Sequence, residues 1–513
     1  MSSGTVPAAT ERFPDRGLAW SGLERWVFAG AMSLLVAGAA GRCYSKPIWH
    51  DELFTYYLAR IDTLPQLWQA LASGTDLNPP LYYLAVRVCS ALIGDGPMAT
   101  RLPSMLGFVL MTMCVYVFVR RRLPARFALI AAVAPSLTGA YTYAFEGRPY
   151  GLVLGFAALA LVAWQRAATS LWIAPALCAA ALAAATSTHY YGILTLAPLA
   201  AGELTRSALR RRVDFRIVVA LMCGILPLVF LRALIAAGRQ FAPTFWSRPS
   251  VDLLIGSYSL LVDPLAQLAI SGAILAALVT YGIGSRRVAS ASSATTGNNS
   301  AFALDELVAG AAFIMIPAIG FAMSAVATGG FHERYVVTGV IGVAILLCWW
   351  CAVTLRSTVT SVVFVSLLLT AFTARQLEGL RAGLRGPSAP LMENLPAVAA
   401  LPPGELVVIS HAVPYLQRAY YRDLEGGPAV AYLTKPPDVV AVSGDTGSRA
   451  LRLLERYAPL DIRAYEAVAQ PGARFYVYGP RSWLIPKLLS QGAEVTLMRD
   501  GTDASLFLVS MSR

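Results

Sequence analysis

Eleven apolar stretches punctuate the first 375 residues of the chain, near 24–43, 101–119, 126–145, 149–166, 170–187, 190–205, 217–237, 265–284, 307–327, 335–354 and 358–375. Most approach the roughly 20 residues a helix needs to cross the hydrocarbon core. Inside lipid every backbone N–H and C=O must be paired within the segment or within a closed barrel, so uninterrupted runs of this length dictate helices. Only 14% of residues are charged and the mean hydropathy is +0.58. Soluble chains carry about a quarter charged residues, so a purely soluble enzyme is excluded, and disorder with it. The fold expected is an α-helical polytopic membrane protein of about eleven spans.

Charge sets the expected orientation. The net charge is +12, yet residues 376–513 hold 14 basic and 13 acidic side chains, so the excess lies in the membrane part. Arg120 to Arg122, the five arginines from Arg206 to Arg216, and Arg286-Arg287 cluster between apolar stretches. Read as a juxtamembrane helix, segment 79–95 leaves all these clusters, and the N-terminus, on the cytoplasmic side, as the positive-inside rule requires. Arg87 in its middle suits an interfacial helix. The residues after Phe372 then lie outside, on the far side of the cell inner membrane. Ala37 to Ala40 resembles a signal cleavage site, but the polytopic chain that follows favours an uncleaved anchor. The polar loop 286–300 falls in the cytoplasm, which makes its Asn298 sequon accidental. All seven cysteines lie in or beside apolar segments, as small packing residues do. No basic, aromatic-interleaved surface speaks for nucleic acid.

From about residue 389 the apolar runs shorten to strand length, at 405–410, 429–433, 439–442, 474–479 and 505–511. Helical stretches around 412–421, 448–457 and 481–490 alternate with them, the pattern of a small α/β unit. The expected organisation is a membrane domain over 1–378, with a first outer loop at 44–100 carrying juxtamembrane helices, and an extracytoplasmic α/β domain over 389–513. No GxGxxG fingerprint marks the latter, and no chemistry is assigned to it.

Ionisable groups at membrane depth are costly and mark function. Here they gather on one side. His50, Asp51 and Glu52 follow the first span; Glu146 and Arg148 end the third; His189 ends the fifth; His332, Glu333 and Arg334 end the ninth. Tyr56, Tyr82, Tyr150 and Tyr190 accompany them. A carboxylate can act as general base toward an acceptor hydroxyl. Arginines can hold a phosphate leaving group through charge-assisted, bidentate hydrogen bonds. Tyrosines furnish amphipathic surface where a lipid head group lies. Together these residues describe group transfer from a lipid phosphate at the outer leaflet.

The runs IWHDELFTYYLAR, NPPLYYLAVRV, RLPSMLGF, YAFEGRPYGL, THYYGILTL and ERYVV, in this order, resemble the GT-C glycosyltransferases. The branch is the one similar to protein O-mannosyltransferases and the aminoarabinose transferases, and the likeness spans roughly residues 20–375. It implies transfer of a monosaccharide from a polyprenyl-phosphate donor on the external face, with inversion. Asp51 is then the base, and Glu52 shapes or polarises the site. Arg148, Arg334, Tyr82 and Asn78 fall at donor-phosphate or lipid positions. His50, Tyr56, Glu146, Tyr150, His189, Tyr190, His332 and Glu333 line the cavity. A divalent cation, Mg²⁺ or Mn²⁺, stays open through Glu52, Glu146 or His189. The acceptor is a glycan, lipid or protein. Aminoarabinose transferases carry a lysine before the paired prolines where this chain has Asn78. Two other readings stand beside this one: a transporter or flippase of a lipid-linked saccharide, and a scaffold whose outer domain binds glycan.

Overall fold

Pro, Gly and short helical breaks decide how the apolar stretches are folded, more than their hydropathy does. The computed structural model describes residues 21–239, 245, 247–284, 302–355, 357–388, 395–425, 427–443, 446–480 and 482–513; the 286–300 loop with its Asn298 sequon lies outside them. Each of the eleven apolar stretches is mainly helical. Four helices are long and apolar enough to cross a membrane singly: Gly22–Ser45, Pro97–Arg120, Tyr150–Ala167 and Thr358–Arg385. Phe215–Phe230 with Arg232–Arg239 is bent by 60°, and Leu304–Ile314 with Ile316–Thr328 by 50°; counting each pair as one span gives six among the described residues.

Several of the other stretches are carried by shorter apolar helices of 10–17 residues, such as Ala125–Leu137, Ile173–Thr188 and Gly339–Thr354, and backbone breaks shape them. Ala125–Val133 passes into two 3₁₀ turns at Pro135, and Tyr190–Thr195 is a 3₁₀ turn ahead of Leu196–Arg210. Pro227 lies just before the bend after Phe230. Hydropathy reports how apolar a stretch is, but not where its hydrogen-bond ladder is interrupted.

The bundle is polarised. At one end, buried ion pairs join Glu24 to Arg120 (2.5 Å), Glu306 to Arg122 (2.8 Å) and Asp305 to Arg206 (2.7 Å). At the other lie three short helices, His50–Ala59, Leu64–Ala72 and Leu81–Ile93. The last has 13 residues, too few to span, and buries Tyr82, Tyr83, Val86 and Cys89 on one face. Its Arg87 donates to the carbonyls of Ala59, Ile61 and Asp62, neutralising the carboxyl end of the first short helix. Helices Pro97–Arg120 and Tyr150–Ala167 approach closely through glycine: a Cβ on Gly107 would fall 2.4 Å from the Gly151 carbonyl oxygen. This contact holds the loop ahead of Tyr150 against the start of the neighbouring helix.

The C-terminal region folds as a six-stranded mixed sheet: β1 (Leu406–Ile409), β2 (Ala429–Thr434), β3 (Ile462–Ala464), β4 (Arg474–Gly479), β5 (Glu494–Arg499) and β6 (Ser505–Ser510). The order is β3-β2-β1-β4-β6-β5, with β1 parallel to β2 and β4, and β6 antiparallel to β4 and β5. Residues 439–442, expected as a strand, lie in the helix Pro437–Ser443, and β3 and β5 escaped the sequence reading. The strands alternate with a period of two. Val408, Leu433, Phe475 and Val509 pack on Leu484 and Leu488, while Val407, Ile409, Tyr432 and Tyr478 share a core with Leu53, Tyr57 and Leu58 of the juxtamembrane helices. Tyr421 Oη accepts from the Ile48 N–H at 3.0 Å, and Gln417 donates to the Ile48 carbonyl at 3.2 Å. The sheet thus sits directly on the end of the bundle that carries the titratable cluster.

Candidate active site

A cavity of about 1060 Å³ opens between the bundle and the sheet, and Asp51 lies on its wall. Asp51 occupies the first turn of the His50–Ala59 helix. One carboxylate oxygen accepts from Arg334 Nη1 at 2.8 Å; the other meets His50 Nδ1 at 3.3 Å. Arg148 Nη1 donates to the Asp51 backbone carbonyl at 3.0 Å. Burial works against the charged carboxylate, but the His50 hydrogen bond and the Arg148 and Arg334 guanidiniums outweigh it and hold Asp51 well below the usual carboxylate range.

Arg148 has a second anchor that the sequence reading missed. Asp76 accepts from its Nη1 at 2.7 Å. The Asp76 carboxylate also takes hydrogen bonds from Tyr83 (2.8 Å), Asn78 Nδ2 (3.0 Å) and the Leu77 N–H (2.7 Å). Asn78, expected at the donor phosphate, is thus on the cavity wall and bonded to the carboxylate that orients Arg148. The available signal was position: Asp76 stands two residues before Asn78 in the same loop.

His50, Tyr150, His189, Tyr190 and Arg334 also line the cavity. Tyr150, His189, Tyr191 and Tyr335 form a ring cluster with centroids 5.1–6.3 Å apart. Burial, helped by Arg148 and Arg334, pushes the His189 imidazole down to about 3, so it is neutral at physiological pH. The Arg334 guanidinium sits 5.8 Å from the centroid of the Tyr150 ring.

Six expected site residues lie elsewhere. Glu52 is fully enclosed: Arg101 grips it bidentately at 2.7 and 2.6 Å, and the N–H groups of Trp49 (3.1 Å) and Gly147 (2.6 Å) occupy its remaining acceptor positions. It positions the chain and has no lone pair left for substrate or metal. A Cβ on Gly147 would fall 2.7 Å from the Thr100 methyl carbon, so this packing needs glycine there. Tyr82 is buried, its hydroxyl bonded to the Thr100 carbonyl and to Ser104, each at 2.9 Å. Tyr56 stacks edge-on against Tyr420 of the C-terminal region, away from the cavity. Glu146 is buried behind the wall, 3.9 Å from Lys46 Nζ, where desolvation raises its pKa. His332 turns inward, its Nδ1 accepting from the Arg334 N–H at 3.4 Å. Glu333 lies against Gly256. The metal candidates Glu52, Glu146 and His189 do not converge: among the described residues no three His, Cys, Asp or Glu side chains are grouped to hold a cation.

Residues 77–234 match the family model for dolichyl-phosphate-mannose-protein mannosyltransferases. Among solved structures the chain is similar to ArnT from Cupriavidus metallidurans in the apo state, with 14% identity, 95% of this chain and 98% of that one covered, and a TM-score of 0.55. Lower scores, 0.42 and 0.38, relate it to the same ArnT bound to undecaprenyl phosphate, at 14% identity with 95% and 98% covered, and to the oligosaccharyltransferase AglB from Archaeoglobus fulgidus in complex with an inhibitory peptide and a dolichol-phosphate, at 10% identity with 89% and 70% covered. The fold inference rests on the apo ArnT likeness alone. No curated protein matches the sequence.

Proposed function

We propose that the chain, which matches a mannosyltransferase family model over residues 77–234 and shares the fold of ArnT, is a membrane glycosyltransferase of the GT-C type that transfers a monosaccharide from a polyprenyl-phosphate donor to an acceptor hydroxyl at the external face, with inversion. The observation that carries this reading is the convergence of Arg148 and Arg334 on Asp51 at the wall of one large cavity. Donor phosphate oxygens would draw on the two guanidiniums through charge-assisted hydrogen bonds. The acceptor oxygen attacks the anomeric carbon and its proton passes to the Asp51 carboxylate. The bond from that carbon to the phosphate oxygen breaks, and the electron pair leaves on the phosphate, where Arg148 and Arg334 stabilise it.

Asp51 is a weak base while the Arg148 and Arg334 guanidiniums face it. A phosphate placed between them offsets their field and raises its basicity, so the base is strengthened by the donor. Leu228, Leu234, Ile235, Met323 and Ala327 supply apolar wall on the side of the two bent helix pairs, suited to an isoprenoid chain. The arginine-rich far end fits the cytoplasmic side by the positive-inside rule, which puts the cavity outside.

Bent helices beside a cavity also favour a flippase. Mass spectrometry of cell-envelope glycolipids with and without the protein separates the two. A transferase changes which molecules carry the sugar; a flippase leaves covalent structures intact and changes only the leaflet. Purified protein that moves donor across a vesicle and never releases polyprenyl phosphate would refute the transferase reading. A reporter fused after residue 294 should report cytoplasm, and one fused near Asp438 the exterior.

A further inference from the structure

Two arginines at the cavity end of the bundle stand apart from the cavity itself. Arg42 closes the first apolar stretch and Arg375 the last, and neither lines the cavity that holds Asp51. Their helices, Gly22–Ser45 and Thr358–Arg385, pack side by side through glycine: a Cβ on Gly41 would fall 2.3 Å from the Gly379 carbonyl oxygen. Of the four long apolar helices these two are the most exposed, so their outer faces meet lipid. Both guanidiniums converge on one ring. Arg375 lies 5.1 Å and Arg42 6.0 Å from the centroid of Tyr141, which is fully buried and held by a hydrogen bond from its hydroxyl to the Gln376 side-chain oxygen.

Charge at this seam does not balance. Arg42 pairs with Glu378 at 2.8 Å and donates to the Arg375 carbonyl at 3.4 Å. Arg375 itself has neither ion pair nor side-chain hydrogen bond among the described residues and rests on the Tyr141 ring instead. Lys46, one turn beyond Arg42, is matched by Glu146 at 3.9 Å. One carboxylate, 72% exposed, therefore serves two half-buried guanidiniums that share a ring. Like charges held this close repel, and a half-buried guanidinium without an acceptor loses hydration that nothing in the chain replaces. The planar fork of N–H donors matches phosphate oxygens. At the end of an apolar run, the phosphate within reach is that of a lipid head group.

We propose that the seam between the first and last long helices is a head-group site for an anionic phospholipid, whose phosphate bridges Arg42 and Arg375. The site is separate from the cavity and stands whether or not the transferase reading does. A lipid seated there ties together the two ends of the membrane domain, since Gly22–Ser45 is its first helix and Thr358–Arg385 its last.

The test titrates the purified full-length protein, in neutral detergent, calorimetrically with dihexanoyl phosphatidylglycerol. Dihexanoyl phosphatidylcholine serves as the zwitterionic control and inorganic phosphate as the anion without acyl chains. Phosphatidylglycerol should bind about tenfold more tightly than either. Arg375→Gln and Arg42→Gln should each weaken it by about tenfold, the scale of one charge-assisted hydrogen bond. Arg375→Lys keeps the charge without the fork and serves if the glutamine variant does not fold; it should bind several-fold more weakly than wild type. Arg334→Met, which alters the cavity, should leave phosphatidylglycerol binding within about twofold. Binding that is absent, that is matched by phosphatidylcholine or inorganic phosphate, or that is unchanged in the Arg375 and Arg42 variants overturns the site. Binding lost in Arg334→Met and kept in Arg375→Gln would place the lipid in the cavity and overturn it equally.

Discussion

Asp51 and Glu52 are adjacent carboxylates, each paired with an arginine, yet they belong to two different regions. Successive residues on a helix point about 100° apart. That rotation sends Glu52 into a sealed pocket, where its side chain and that of Arg101 are both 0% exposed. It leaves Asp51 20% exposed and Arg334 10% exposed, at the cavity. Glu52 has every acceptor position filled by groups from the chain after the first span, the next long helix and the Gly147 loop. It is a pin. Asp51 is held by groups that a phosphate can recruit. The lesson is that an acidic pair in one motif divides its work: one carboxylate fixes the geometry and the other faces the cavity.

The largest effect expected is on the pin. Glu52→Gln leaves Arg101 buried without its counter-ion, at a cost of about 3–5 kcal/mol. Thermal unfolding in detergent should show a large loss of stability, and transfer should fall with the folded fraction. A Glu52→Gln protein as stable as wild type but inactive would erase the distinction between the two carboxylates.

Arg334→Met should act on chemistry with less effect on stability. Undecaprenyl phosphate should bind about tenfold more weakly or worse, the value of a lost charge-assisted contact. The pH profile gives a second readout. Asp51 has a depressed pKa, so it stays ionised until the pH falls through that low value. The acid limb of kcat/KM in the wild type therefore lies below the ordinary carboxylate pKa of about 3.9. Without Arg334 the limb moves up in pH. A limb that does not move would separate Arg334 from Asp51.

Asp76→Asn sharpens the comparison from the other side. It removes the carboxylate that pairs with Arg148. Stability should drop by about 1–3 kcal/mol, while undecaprenyl phosphate binds several-fold more tightly because the guanidinium no longer has to be shared. Weaker donor binding would make Asp76 indispensable to the pose of Arg148.

The smallest effect belongs to His189. Its imidazole is neutral down to about 3, so His189→Phe should change kcat by less than about threefold and leave the profile between pH 5 and 8 unshifted. A shift there would give His189 a proton-transfer role.

Much of this arrangement was legible in the sequence, because charged residues flanking apolar runs are few. Asp51, Arg148 and Arg334 stood out for that reason. Asp76 and Arg101 did not, since one sits in a polar loop and the other heads an apolar run, where an arginine reads as an interfacial anchor. Tyr56 failed for helical geometry: it lies four residues after Glu52, on the face turned from the cavity. The edge strand β5 was missed because its residues are mostly exposed, without a buried alternation. His411 and Lys435 reach the cavity only through the docking of the sheet on the juxtamembrane helices, a contact between segments more than 350 residues apart.

The most direct test is a single-turnover measurement on Asp51→Asn with donor already bound. The substitution removes the proton acceptor while Arg148 and Arg334 remain. Undecaprenyl phosphate affinity should stay within a few-fold of wild type, and the rate of sugar release to acceptor should fall by about 10²–10⁴, the span of general-base catalysis. Transfer at the wild-type rate in a folded, donor-bound Asp51→Asn protein would contradict the account.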